Sequence, residues 1–384
     1  MLLFNCNKTA LLDPCYRSVA PGIIHSRIVS AASTRCAGKN GHKQELADVP
    51  QGWTPRGYIS EPAMSLLPAM IAAAVAWGAL AILVGNAARL PLDRPNARSL
   101  HALAVPRVGG LAIWAGWLAG TVWLPGPKVW LAPLLALVAI SLLDDHRGVH
   151  PGLRLAVHFG AAAGWVWLAA PALNPIVAVL VIVWTANLYN FMDGSDGLAG
   201  AMTVVGFGAY ALAGWLAASP VSALPLAIAA AAAPFLVYNL PPARVFLGDA
   251  GSVPLGFLAA VFGMTGWLEG WWPVWFPILA FLPFIADASV TLTARLLRGA
   301  RIWEAHRDHS YQRLVQSGWG HGRTLALYAA LMVGAAGSAV ATLVWAPGAG
   351  VVAVAVWAAI LALVLGAIEY HWRRRGIRFE ESKG

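Results

Sequence analysis

The chain has 384 residues, of which 59% are hydrophobic and only 11% charged, and its mean hydropathy is +0.65. A soluble domain carries roughly a quarter charged residues, so this composition excludes one and predicts an all-α, polytopic integral membrane protein. The net charge of +9 calls for no nucleic acid, because basic residues retained beside spans and attracted to anionic membrane lipid account for it.

Residues 1–63 stand apart from the remainder. They hold Cys6, Cys15 and Cys36 without metal-ligand spacing, scattered charge, and no apolar core of signal-peptide length. Two readings are open: translation that starts at Met64, directly before the first span, or a disordered extension too polar to bury a core. From Met64 the apolar runs fall at 65–90, 108–124, 129–143, 155–170, 175–188, 198–217, 222–238, 253–267, 274–297, 324–345 and 350–370. That makes about eleven candidate spans at about 17–25 residues per crossing, the fourth, fifth and eighth being short. A transmembrane domain at 64–370 and a basic tail at 371–384 follow. Trp267, Trp271, Trp272 and Trp275 read as interface anchors at span ends.

The basic residues set the orientation, since Lys and Arg beside spans stay on the cytoplasmic side. Arg89, Arg94, Arg98 and Arg107 follow the first span, Arg147 and Arg154 the third, Arg244 the seventh, and Arg295, Arg298, Arg301, Arg307, Arg313 and Arg323 the ninth. Arg373, Arg374, Arg375, Arg378 and Lys383 lie in the tail, whereas the opposite loops hold Lys128 alone. Every candidate catalytic loop is thereby expected on one face.

Asp144-Asp145, after the third span, repel one another unless a cation or proton joins them. A metal or a general base is one reading, and a solvated helix end the other. Between the fifth and sixth spans lies Asn187-Leu-Tyr-Asn-Phe-Met-Asp-Gly-Ser-Asp-Gly197. Its glycines predict a turn aiming Asp193, Asp196 and the Asn190 amide at one point, suited to a metal ion and its phosphates. In Phe246-Leu-Gly-Asp-Ala-Gly-Ser252 the glycines flanking Asp249 allow close backbone approach, and free amides could meet a phosphate. Asp287 lies inside the ninth span, either as a functional carboxylate or as a partner for an arginine or a backbone group. The loop Glu304-Ala-His-Arg-Asp-His-Ser-Tyr-Gln-Arg313 is basic enough to neutralise a transferring phosphoryl group. Plain topology explains its arginines, but not His306 and His309.

Taken in order, these motifs resemble the bacterial polyprenyl-phosphate N-acetylhexosamine-1-phosphate transferases, relatives of the phospho-MurNAc-pentapeptide transferase. The similarity runs from Asp93-Arg-Pro-Asn-Ala-Arg-Ser-Leu-His101 and Pro106-Arg-Val-Gly-Gly110 through the acidic motifs to the histidine loop. It implies transfer of an N-acetylhexosamine 1-phosphate from a UDP-activated acetamido-sugar to undecaprenyl phosphate, releasing UMP and initiating O-antigen or another cell-envelope polysaccharide. The resemblance further implies magnesium, with manganese as a substitute, held by Asp249 and Asn190. Asp144, Asp145 and His309 would be catalytic, the two aspartates beside the lipid phosphate. Asn187, Asp193, Asp196, His306 and Arg307 would bind substrate, with Asp193 and Asp196 on the nucleotide side. The implied place is the bacterial inner membrane, with the site facing the cytoplasm; the sequence leaves the oligomeric state open, a homodimer being one option.

Two departures bear on the sugar. Ala104 stands where the peptidoglycan branch has a lysine, which argues against a peptide-bearing substrate. His309-Ser310-Tyr311-Gln312 replaces the His-x-His-His run of other sugar-transferring branches, pointing to a 6-deoxy or otherwise modified acetamido-sugar. A transporter or flippase for anionic lipids or sugars is the alternative class, yet such proteins place their acids at mid-bilayer in repeated halves.

Overall fold

The computed structural model describes residues 66–86, 92–93, 104–124, 126, 128–301, 306–374 and 376. The three cysteines, the start at Met64, the motif residues 94–101, Glu304 and the end of the basic tail lie outside the described residues. All described residues belong to one unit spanning 52–384.

Each apolar run of the sequence becomes helical. In chain order these are α1 Leu67–Gly85, α2 Gly109–Thr121, α3 Leu131–Arg147, α4 Pro151–Ala169, α5 Pro175–Phe191, α6 Leu198–Leu216, α7 Ala223–Asn239 and α8 Asp249–Leu268. Then come α9 Trp275–Ala280, α10 Leu282–Leu297, α11 Ser310–Leu314, α12 Gly320–Trp345 and α13 Gly350–Arg374, with a π-helical segment Val315–Trp319 between α11 and α12. A backbone in lipid must satisfy its own polar groups, so an apolar run of this length has little alternative to a helix. A two-stranded antiparallel pair, Leu92–Asp93 with Val105–Pro106, sits before α2. Among the described residues five helical stretches are long and apolar enough to cross a membrane, namely Leu67–Gly85, Leu198–Leu216, Asp249–Leu268, Ser310–Trp345 and Pro347–Arg374. The protein is a multi-pass helical membrane protein.

Helix α8 is the axis of the bundle, and every residue from Ala250 to Gly263 is buried. It packs against α3 and α5, while α7 joins α6 to α1 and α2, and α12 covers α6. By contrast α13 buries only Gly350, Leu361, Leu365 and Ile368. Small residues allow the tight crossings, as expected where lipid gives helices no hydrophobic reason to associate. At Gly116 and Gly120 of α2, an added Cβ would lie 2.3 Å from the carbonyl oxygens of Ala72 and Pro68 in α1.

Three expectations about elements are corrected. The ninth run is not one helix: it breaks at Phe281 between α9 and α10, where Pro283 supplies no N–H and its ring crowds the preceding turn. The histidine loop is partly helical: α11 begins within it at Ser310, and the π-helical segment follows α11. Trp272 and Trp275, 4% and 7% exposed, are core residues and not interface anchors. Trp272 Nε1 donates to Gly263 O at 3.1 Å and its ring stacks on Tyr210 at 5.2 Å. Trp267, 43% exposed, remains consistent with an anchor.

Candidate active site

The site is assembled from helix ends. Backbone bonds run from Phe246 N to Pro106 O (2.9 Å), Gly109 N to Phe246 O (2.8 Å) and Gly110 N to Leu247 O (2.9 Å), so the two glycine motifs form one junction. At Gly110 a Cβ would sit 2.4 Å from Gly251 Cα, which is why both positions are glycine. Gly248 has φ 75° and ψ 164°, a conformation essentially reserved for glycine. It turns the chain so that Asp249 opens α8, where a negative charge meets the positive end of the helix dipole.

Opposite Asp249 stand Asp144 and Asp145. They occupy the last turn of α3 and not a loop after it, where the dipole opposes them. Their compensation is specific. Asp144 accepts from Val149 N–H at 2.7 Å and from Arg154 Nη1 at 2.5 Å, while Arg154 Nη2 reaches Asp249 Oδ2 at 3.0 Å. Arg107 Nη1 lies 3.8 Å from Asp145 Oδ1. Even so, burial, then the charge of Asp249, pushes Asp145 up from 3.8 to about 7 against the opposing pull of Arg107. Its buried Oδ2 has no hydrogen-bond partner among the described residues.

Asn187 and Asn190 belong to the last turn of α5, not to the turn that follows. Asn190 Oδ1 accepts from Ser252 Oγ of α8 at 2.7 Å, next to Asp249. Asn187 Nδ2 donates to Val183 O at 2.7 Å and lies 3.5 Å from His158 Nδ1 of α4. Burial, followed by the charge of Asp249, raises Asp193 well above the usual carboxylate range, which places it in the same electrostatic cluster. Asp196 has different company. Its Oδ2 accepts from Ala243 N–H at 3.1 Å, and its Oδ1 lies 3.5 Å from His321 Nδ1. The sequence reading that aims Asp193 and Asp196 at one point is therefore corrected: Asp193 shares its field with Asp249, and Asp196 ties the turn to the 240s loop and α12.

The histidine segment docks on the same turn. His309, 2% exposed, lies 3.6 Å from Asp287 and stacks on Phe191 at 6.1 Å, while His306 packs beside it at 4.9 Å. Burial, then the His309 charge, lowers His306 to about 4. Gln316 donates to the Arg307 carbonyl at 3.2 Å. Burial pushes the Asp308 carboxyl up, but its pairing with Arg295 and the charges of His306 and Arg313 together hold it below the usual range. Arg313 pairs with Glu369 and so joins α13 to this segment. The contacts of His309 are thus with Asp287 and aromatic rings, not with the acids around Asp249.

Comparison with known proteins shows what this arrangement is similar to. Residues 128–266 match glycosyl transferase family 4, a stretch that contains Asp144, Asp145, Asn190, Asp193, Arg154 and Asp249. Over that stretch the chain is similar to glycosyl transferase family 4. A "Probable undecaprenyl-phosphate N-acetylglucosaminyl 1-phosphate transferase" of Bacillus subtilis is 26% identical, over 60% of this chain and 71% of its own length. The "Undecaprenyl-phosphate alpha-N-acetylglucosaminyl 1-phosphate transferase" of Escherichia coli is 28% identical over 59% of the chain and 70% of its length. A "Phospho-N-acetylmuramoyl-pentapeptide-transferase" of Synechococcus elongatus is 36% identical over 43% of the chain and 54% of its length.

The fit of this site to a divalent cation turns on the donors present. Among the described residues no three His, Cys, Asp or Glu side chains form a closed metal site. Magnesium does not require one: it keeps several waters and is held by one or two carboxylates plus phosphate oxygens. Asp249 and the Asn190 amide oxygen are donors of that kind, and the unpartnered Asp145 oxygen and the raised Asp145 and Asp193 mark surplus negative charge. The residues fit a hard, water-rich cation. Sequence reasoning missed Arg154 as the bridge of the site, Ser252 as the partner of Asn190, and Asn239, which accepts from Gly197 N–H and donates to Val245 O, both at 2.8 Å. Only Asn239 left a signal, as a polar residue closing an apolar run.

Proposed function

We propose that this chain transfers an N-acetylhexosamine 1-phosphate from a UDP-sugar to undecaprenyl phosphate, releasing UMP on the cytoplasmic face of a bacterial inner membrane. The observation that carries the reading is the meeting of Asp144 and Asp249, from two different helices, across Arg154 and beside Asn190 and Asp193. Charges of both signs, gathered at helix ends, suit two multiply anionic substrates, and the names of the relatives supply the lipid phosphate and the sugar phosphate.

The chemistry is an in-line displacement. A lipid phosphate oxygen forms a bond to the β-phosphorus of the donor, the bond from that phosphorus to the bridging oxygen breaks, and UMP leaves with that oxygen. A monophosphate with its second pKa near 6 is already largely a dianion, so Asp144 need only take or hold the residual proton. Asp249 and Asn190 would hold magnesium, which would supply charge neutralisation for the diphosphate. Arg154 and Arg107 orient anionic oxygens, and Asp193 accepts from donor groups of the nucleotide. The Tyr311-Gln312 pair in place of histidines favours a modified acetamido-sugar, which suits initiation of O-antigen or a related polysaccharide.

Purified protein given polyprenyl phosphate, magnesium and a panel of UDP-acetamido-sugars should release UMP with one of them. Asp249→Asn should lower turnover by about a thousandfold or more, the scale of losing a principal charge-stabilising group. No release with any donor, alongside uptake of an anionic lipid into vesicles, would move the protein to the transporter class. Asp144→Asn should recover much of its rate above pH 8, and a trapped phospho-aspartate would replace direct attack with a two-step route.

A further inference from the structure

Tyr311 and Gln312, which depart from the expected histidine run, take no part in the displacement itself, and the sequence admits both a functional and a pairing role for Asp287. The structure joins them. Asp287, 1% exposed, accepts from Ser310 N–H (2.9 Å) and Thr291 Oγ1 (3.2 Å) on one oxygen, and from Tyr311 N–H (3.2 Å) and Tyr328 Oη (2.5 Å) on the other. It therefore fixes the first turn of α11 from behind. Tyr311, fully buried, projects from that turn and donates its hydroxyl to the Phe191 carbonyl at 2.9 Å. A Cβ on Gly194 would lie 2.2 Å from Tyr311 Oη and 3.2 Å from its Cζ. The chain between these two contact points contains Asp193, whose N–H donates to Asn190 O at 3.2 Å.

We propose that Tyr311 is a positioning residue for the turn at 190–194, with Asp287 as its anchor and Gly194 as the space its hydroxyl requires. Asn190 and Asp193 are then aimed not by glycine flexibility but by a phenol pressed against the backbone on both sides of Met192. Gly194 is exposed on its other face, so the rival explanation of this glycine is close approach of substrate. The two explanations part on one double substitution. Relief of the Oη contact by Tyr311→Phe should let Gly194→Ala fit, whereas a substrate-imposed glycine would gain nothing.

The functional readout rests on the transferase reading; the stability readout does not. In the full chain, Tyr311→Phe should raise KM for the UDP-sugar by about three- to tenfold, the size of one hydrogen bond, and leave KM for the lipid phosphate unchanged. Gly194→Ala should lose about tenfold or more in kcat/KM, and the double variant should regain about fivefold over Gly194→Ala alone, a coupling of the size found between touching residues. Without any substrate, the thermal midpoints should show the same order, the double variant melting above Gly194→Ala, and Tyr311→Phe should speed amide exchange at 192–197. A double variant no better than Gly194→Ala in midpoint and rate, or equal KM changes for both substrates, overturns the proposal. Midpoint rescue in a protein whose wild type releases no UMP would sink the transfer reading and keep the Tyr311 contact.

Discussion

Arg154 is the residue on which the acid cluster balances. It is the one cation bonded to acids of both α3 and α8 among the described ion pairs, and its side chain is 27% exposed, so water screens part of the attraction. Arg154→Gln in EDTA should cost about 1–2 kcal/mol, below the figure for a fully buried pair. Added magnesium should restore more of the thermal midpoint in the variant than it adds to the wild type, because the cation meets carboxylates that have lost their counter-charge. Equal magnesium shifts in the two proteins would contradict this. Asp145 gives a pH signature of its own. Its folded-state value lies near 7 instead of 3.8, raised first by burial and next by Asp249. Below 3.8 both folded and unfolded chains hold this proton; above it only the folded chain does, so its contribution is favourable at low pH and is lost as pH rises to about 7. Asp193 acts in the same direction. Thermal midpoints in EDTA should therefore drift down from pH 4 to 7 relative to Asp145→Asn, whose curve is flatter.

At the scale of elements, the junction of the loop before α2 with the start of α8 sets where Asp249 stands. Gly110→Ala would push a Cβ against Gly251 Cα, and such overpacking costs about 1–3 kcal/mol. It should also lower turnover more than an equally destabilising change far from the site, since the carboxylate moves with the backbone. Thermal melting together with UMP release would show the two effects. This junction illustrates what was legible. The glycine motifs and the acids between them were visible as patterns because a residue type without a side chain, repeated at helix starts, has few other uses. The helices were visible because lipid leaves an apolar run almost no other structure. What could not be read is pairing at a distance. Nothing local tells that Arg154 meets an acid 95 positions away, or that Asp287 will spend its lone pairs on the first turn of α11. Tryptophan misled for a related reason: Trp272 looks amphipathic and interfacial until Gly263 and Gly266 are seen to leave it an interior slot.

For the whole molecule, the decisive property is that chemistry-bearing residues gather at one end of an otherwise apolar bundle. Asp144, Asn190 and Asp249 sit at helix ends and converge, while the bodies of the helices are predominantly apolar. The basic residues flank the same ends, so retention of Lys and Arg by the cytoplasm should hold the site there. Impermeant-maleimide labelling of single cysteines, in a chain with Cys6, Cys15 and Cys36 replaced by serine, tests the orientation. His150→Cys, exposed between α3 and α4, should react only in inside-out vesicles or after permeabilisation. Gly348→Cys, exposed between α12 and α13, should react in intact cells. The opposite pattern would place the acid cluster where UDP-sugars are absent, and would remove the nucleotide from the proposed reaction even if the lipid phosphate stayed. A site on the cytoplasmic face, in contrast, draws the donor from water and the acceptor from the membrane, which is what a cluster of charges at the ends of apolar helices is built to allow.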